Sequence, residues 1–194
     1  VNLGGAFNLV KREDLSGPLP RLIRRAWEVI EPHIRTRHHL QGLEMVGQPE
    51  YPDFAWREIV VNAIAHRDYS ITGTSIQARI FDDRLEVESP GGLPGIVTVE
   101  NIRQRHFFRN PVLVGVLRTW HYIEELGFGI DRVFRAMEEI GAPPPKIADD
   151  RGVVTVTLYS VKTEPKSQRE YWKQLGVTNR QLEALIHIRQ MGSI

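Results

Sequence analysis

Residues 54–65, Phe-Ala-Trp-Arg-Glu-Ile-Val-Val-Asn-Ala-Ile-Ala, would be apolar almost all the way round if wound into a helix. Phe54, Trp56, Ile59, Val60, Val61 and Ile64 cover several faces, so such a helix has to lie inside a core. Against that background Glu58, Asn62 and His66 recur every four residues and form one narrow stripe, drifting only about 40° per step at 3.6 residues per turn. A polar stripe on a core helix has to face something polar. A carboxylate, an amide oxygen and an imidazole in line can hold a metal-bound phosphate ligand, and the carboxylate can also orient a water. Three hydrogen-bonded interface residues would look the same, and this stretch alone leaves the two readings level.

At 194 residues and 41% apolar content, the chain suits one globular domain with appendages. A net charge of +1 gives no global electrostatic case for nucleic acid. Local basic runs remain at Arg21, Arg24 and Arg25 and at Arg103, Arg105 and Arg109, either able to grip phosphates or simply solvated. The absence of cysteine excludes disulfides and thiolate zinc sites. No apolar run approaches the roughly 20 residues that span a bilayer, and nothing resembles a signal peptide. The expectation is a soluble, cytoplasmic protein with no membrane partner. His33 and His38-His39 match no common zinc spacing, so residues 33–39 read as a solvated connector. The chain opens on Val1 and stops inside a helical pattern, as a fragment of something longer would.

In order, residues 6–10 read as a short strand, and a helix follows from about Arg21, with Pro32 interrupting or kinking it. After the central helix, residues 75–80 alternate with period two, placing Ile76, Ala78 and Ile80 on one face, and residues 84–88 alternate again. Asp82-Asp83 joins them tightly, which makes an antiparallel hairpin. Ser89-Pro-Gly-Gly-Leu-Pro-Gly95 has to be a loop, and its glycines let a ligand or another backbone approach closely. Leu113, Val116 and Leu117 suggest a short helix. Gly127-Phe-Gly129 opens a second amphipathic helix that runs to Gly141, where free N–H groups can meet a phosphate or the loop can merely pack. Residues 153–158 form a last strand, with Val154, Val156 and Leu158 facing inward. Residues 162–168 are a polar linker. Thr178-Asn-Arg-Gln181 is a capping box opening one further helix, either the first of a DNA-binding module or a docking helix.

Taken together, Tyr51-Pro52, Arg57-Glu58, Asn62-Ala63, His66-Arg67-Asp68-Tyr69, Ser89-Pro-Gly-Gly-Leu-Pro94, Arg109-Asn-Pro111 and Glu125-Leu-Gly-Phe-Gly-Ile130 resemble the ATPase-like, "RecG-like C-terminal" domain of prokaryotic transcriptional regulators. Full-length members of that group join an N-terminal Schlafen/AlbA-type domain to this domain and a C-terminal winged helix. The helicase label is not literal here, because the chain has no Gly-x4-Gly-Lys-Ser/Thr phosphate loop. The domain is similar, more distantly, to the GHKL ATP-binding fold of gyrases and histidine kinases. That likeness implies an α+β two-layer sandwich, with a mixed sheet packed on the central helix and on the helix from Ile130. It implies Glu58 as the base, Asn62 as the magnesium ligand, and ATP with Mg2+ as cofactors. His66, the glycine loop with Gly91, Gly92 and Gly95, and the Gly127 and Gly129 turn complete the implied nucleotide site, beneath a lid of residues 96–122. Where the fold uses an aspartate to read adenine, this chain has Ser89-Pro90, and neither carries a carboxylate.

The resemblance divides the chain into a 1–50 connector, a 51–161 ATPase-like domain, and a 162–194 linker with the first part of a winged helix. It implies a sensor and dimerisation domain, a homo-oligomer that reaches DNA through flanking modules. Two alternatives stand beside it: an enzyme hydrolysing ATP with Glu58 and with Mg2+ at Asn62, and a ligand-free scaffold.

Overall fold

The computed structural model describes residues 11–41, 43–123 and 128–161, all within one compact unit ending at Val161. The expected strand at 6–10 and everything expected beyond 161 lie outside the described residues. Helix α1 (Leu19–Ile30) enters through Pro18 and Pro20, whose fixed φ suits a first turn, and a 3-10 turn (Glu31–His33) ends it. Strands β1 (Thr36–Gln41) and β2 (Glu44–Pro49) then pair antiparallel, with His38 opposite Gly47, as a separate two-stranded sheet. Residues 33–39 are therefore not a mere connector. Arg37 ties this ribbon down by donating to the buried Glu50 carboxylate at 3.2 Å and to the Val161 carbonyl.

Helix α2 (Asp53–His66) is the spine. Nine of its fourteen residues are buried, so it is enclosed on nearly all sides. One wall of that enclosure is a four-stranded sheet of order β3-β4-β6-β5, built from β3 (Gln77–Ile80), β4 (Arg84–Pro90), β5 (Lys146–Asp150) and β6 (Val153–Tyr159). Its strand pairings are antiparallel, and the sheet is mixed only through one isolated parallel bridge between Gly91 and Val153. Register places Leu85 opposite Leu158, Val87 opposite Val156 and Ile147 opposite Val156, so one apolar row crosses three strands toward α2. The other face is charged: Arg79 bonds Glu88, and Arg84 bonds Glu86. Alternation in β3 is weaker than the sequence suggests, because Ala78 is exposed while Ile76 and Ile80 are half-buried.

Helices α3 (Pro111–Thr119) and α4 (Gly129–Glu139) complete the helical layer, α4 burying Val133 and Met137. On the far side of α2, Trp27 of α1 packs on Trp56 with ring centroids 4.2 Å apart. The result is the expected α+β arrangement of helices on a sheet. Among the described residues no helix is long and apolar enough to cross a membrane.

Candidate functional site

One cavity lies between α2 and the sheet, and it holds about 130 Å3. Its floor is the apolar row of Val87, Val154 and Val156, and its α2 wall presents Glu58, Asn62 and His66 together. Gly91 and Gly92 line it from the loop after β4, and Gly129 lines it from the first residue of α4. Gly95 does not line the cavity, and a Cβ there would stand 2.7 Å from the ring of Phe107; Gly127 lies outside the described residues. The roof comes from the lid segment: Val97, Ile102, Arg105, His106, Phe107 and Phe108.

Each member of the stripe meets a different environment. Glu58 is only 8% exposed, and its Oε1 accepts from Asn62 Nδ2 at 3.1 Å. A Cβ on Gly129 would stand 1.8 Å from that same Oε1, so only glycine lets the carboxylate sit against the start of α4. A negative charge there is favoured by the unpaired N–H groups and dipole of the helix N-terminus. Asn62 keeps its amide oxygen clear of hydrogen bonds among the described residues. His66 stacks on Phe108 of the lid, with centroids 6.2 Å apart and planes 14° apart, and the Arg118 guanidinium of α3 lies over the Phe108 ring at 4.9 Å. The imidazole makes no hydrogen bond at all among the described residues, and its Nδ1 is fully buried. Burial, and after it the nearby Arg109 guanidinium, lowers the His66 pKa to about 4, so the ring is neutral near pH 7.

Beyond the end of α2 the polar residues behave differently. Asn110 donates to the Ala65 and Arg67 carbonyls at 3.0 and 2.9 Å, satisfying orphan acceptors at the helix C-terminus. It also stands at the N-cap of α3, where its own carbonyl accepts from Val114 N–H. Arg109 bonds Asp68 at 2.9 Å and the Gly92 carbonyl at 2.6 Å. Gly91 has φ +104°, and a Cβ there would meet Arg109 at 2.4 Å and Asp68 at 2.6 Å. Ser89 turns its hydroxyl to the Ala63 carbonyl at 2.8 Å.

Sequence reasoning missed two contributors, Asp149 and Phe108, and did not foresee the partner of Arg103. Asp149 of β5 accepts from Leu93 N–H at 2.7 Å and so clamps the glycine loop from the side. Phe108 supplies the lid's contact to His66. Arg103 bonds Asp131 in the first turn of α4 at 2.7 Å, which ties the lid to that helix. A lone acid in a strand, or an aromatic in an irregular segment, carries no periodic signal.

Residues 73–158 match the family model described as "Putative ATP-dependent DNA helicase recG C-terminal". Over those residues the chain is similar to an ATPase-like domain. The matched region runs from just before β3 through the lid and α4 to β6, so the α2 stripe is an addition to the match and no part of it. Among solved structures, the chain is similar to the DIP2311 protein of Corynebacterium diphtheriae, with a TM-score of 0.68 and 29% identity. That likeness covers 72% of this chain and 29% of the other, so the present chain spans under a third of that relative. Among curated proteins none matches.

Proposed function

We propose that this chain is the nucleotide-sensing and dimerisation domain of a prokaryotic cytoplasmic transcriptional regulator of the Schlafen/AlbA-containing group, with DNA contacted through flanking modules. The observation that carries the nucleotide reading is the meeting of Glu58, Asn62 and His66 with Gly91, Gly92 and Gly129 around one cavity. The ATPase-like family match and the apolar floor suited to a flat ring support it.

The residues present fit ATP with Mg2+ in a limited way. Among the described residues no three acidic, histidine or cysteine side chains cluster to hold a metal alone. Asn62 Oδ1 would be the protein ligand, with the phosphates supplying most of the shell, as is usual for Mg2+. Bound Mg2+ neutralises phosphate charge. A space of about 130 Å3 is close to that of an engineered cavity that accepts benzene, and below the roughly 300 Å3 at which ligand pockets begin. A whole nucleotide therefore requires the lid to move outward, and a lid that moves with occupancy is a means of signalling.

Hydrolysis is the second reading, favoured by Glu58 lining the cavity. In this arrangement the carboxylate is held by Asn62 and by its seat at α4, so it has to be released before it can orient water. Binding should exceed turnover. Calorimetric titration of the chain with ATP and Mg2+, beside Asn62→Ala, tests the proposal. Heat that vanishes in the variant supports a working site on the stripe. No heat with either folded protein leaves the scaffold reading in possession.

A further inference from the structure

Among the described residues, His66 Nδ1 is the one buried side-chain nitrogen or oxygen of the cavity lining that has no hydrogen-bond partner. Glu58 is held by Asn62, Ser89 by the Ala63 carbonyl, and Arg109 by Asp68 and the Gly92 carbonyl. Among the described residues the imidazole of His66 has none. Nδ1 is buried and unpartnered, and the ring is fixed in orientation by its stack on Phe108. A polar atom buried without a partner costs roughly 1–3 kcal/mol and calls for an explanation in a native fold. Packing does not provide one, because a phenyl ring would fill the same space without that penalty.

The position of His66 suggests the explanation. Glu58 lies against the N-terminus of α4, the end of the cavity suited to anions. His66 lies eight residues further along α2, about 12 Å away at 1.5 Å per residue, against the glycine loop and among the apolar residues of the floor and lid. A ligand stretched along this stripe with its phosphates at the Glu58 end brings its base to His66. We propose that His66 reads the 6-position of a purine, the role left open by Ser89, whose hydroxyl is already engaged. This rests on the nucleotide-binding reading above. An ionised carboxylate only accepts, and so it selects an amino group. A neutral imidazole accepts through one nitrogen and donates through the other, and its tautomer can switch. His66 therefore accepts from the 6-amino group of adenine or donates to the 6-oxo group of guanine, and the site takes both purines.

The test is a set of titrations in Mg2+ using ATP, GTP and purine riboside triphosphate, which carries no 6-substituent, against the wild-type chain and His66→Phe, which retains the aromatic stack. Wild type is expected to bind ATP and GTP within about threefold of each other and purine riboside triphosphate about tenfold more weakly, the scale of one hydrogen bond. In His66→Phe, ATP and GTP should fall to the level of purine riboside triphosphate, whose own affinity should barely change. Equal losses for all three nucleotides in the variant would overturn the assignment, because a merely structural histidine is blind to the 6-position. Equal binding of all three by wild type would overturn it without any variant, which covers the case of a variant that does not fold. Nucleotide binding with either of those outcomes leaves the sensor reading standing. Failure of wild type to bind any nucleotide removes both.

Discussion

The stripe on α2 and the cluster just past its end are both polar and both built from motif residues, yet they are finished differently. In the cluster, Arg109 bonds Asp68 and the Gly92 carbonyl, Asn110 holds two carbonyls at the helix end, and Gly91 leaves room for Arg109 and Asp68. Along the stripe, Asn62 Oδ1 and the buried Nδ1 of His66 have no hydrogen-bond partner among the described residues, and both side chains line a cavity. A motif residue whose bonds are all closed holds the fold, whereas one left open is available to a ligand. Substitutions should accordingly split into those that lower stability and those that lower binding.

The largest stability effect is expected at Gly91. Alanine there faces both a positive φ and two contacts below 3 Å, and should destabilise by about 3 kcal/mol or more in urea unfolding. A comparable figure is reached by acid at His66. Its unfolded form takes up a proton near pH 6.5 and its folded form only near 4, so the unfolded state binds more protons between those values. Stability should fall as pH drops through that window, by at most about 3 kcal/mol, and His66→Phe should flatten that part of the pH profile. Asn110→Ala should lose about 2 kcal/mol in thermal melts, since two carbonyls at the end of α2 lose their donor, with affinity for nucleotide changed little once folding is corrected for. Asn62→Ala should cost the fold about 1 kcal/mol or less while reducing nucleotide affinity tenfold or more. If Asn62→Ala instead destabilises as much as Asn110→Ala and leaves binding intact, the division between the two regions fails.

What was legible beforehand follows from how each element is stabilised. Helix α2 could be read because its burial is written in consecutive residues, and β4 and β6 because one half-buried face leaves a period of two. The ribbon of β1 and β2 could not. Arg37 and His38 give no apolar alternation, and most of the described side chains are exposed, so its backbone ladder and the Arg37–Glu50 contact carry it. Strand β5 hid for a similar reason, as Lys146-Ile-Ala-Asp-Asp150 is short, acidic and at the sheet edge. At the site, the spacing of Glu58, Asn62 and His66 was visible because a helix turns spacing into a line. The Asp149 clamp and the Phe108 stack were not, because they join segments far apart in the chain.

The missing side chain at Gly129 has a consequence for how this sequence can vary. The space a methyl group would need there is already taken by an atom of Glu58, so the two positions behave as one inherited unit. A lineage that placed alanine at 129 would have to shorten or redirect residue 58 in the same step, and one that shortened residue 58 would release 129 from glycine. A drift in either position alone marks a chain that has given up the seat of its carboxylate.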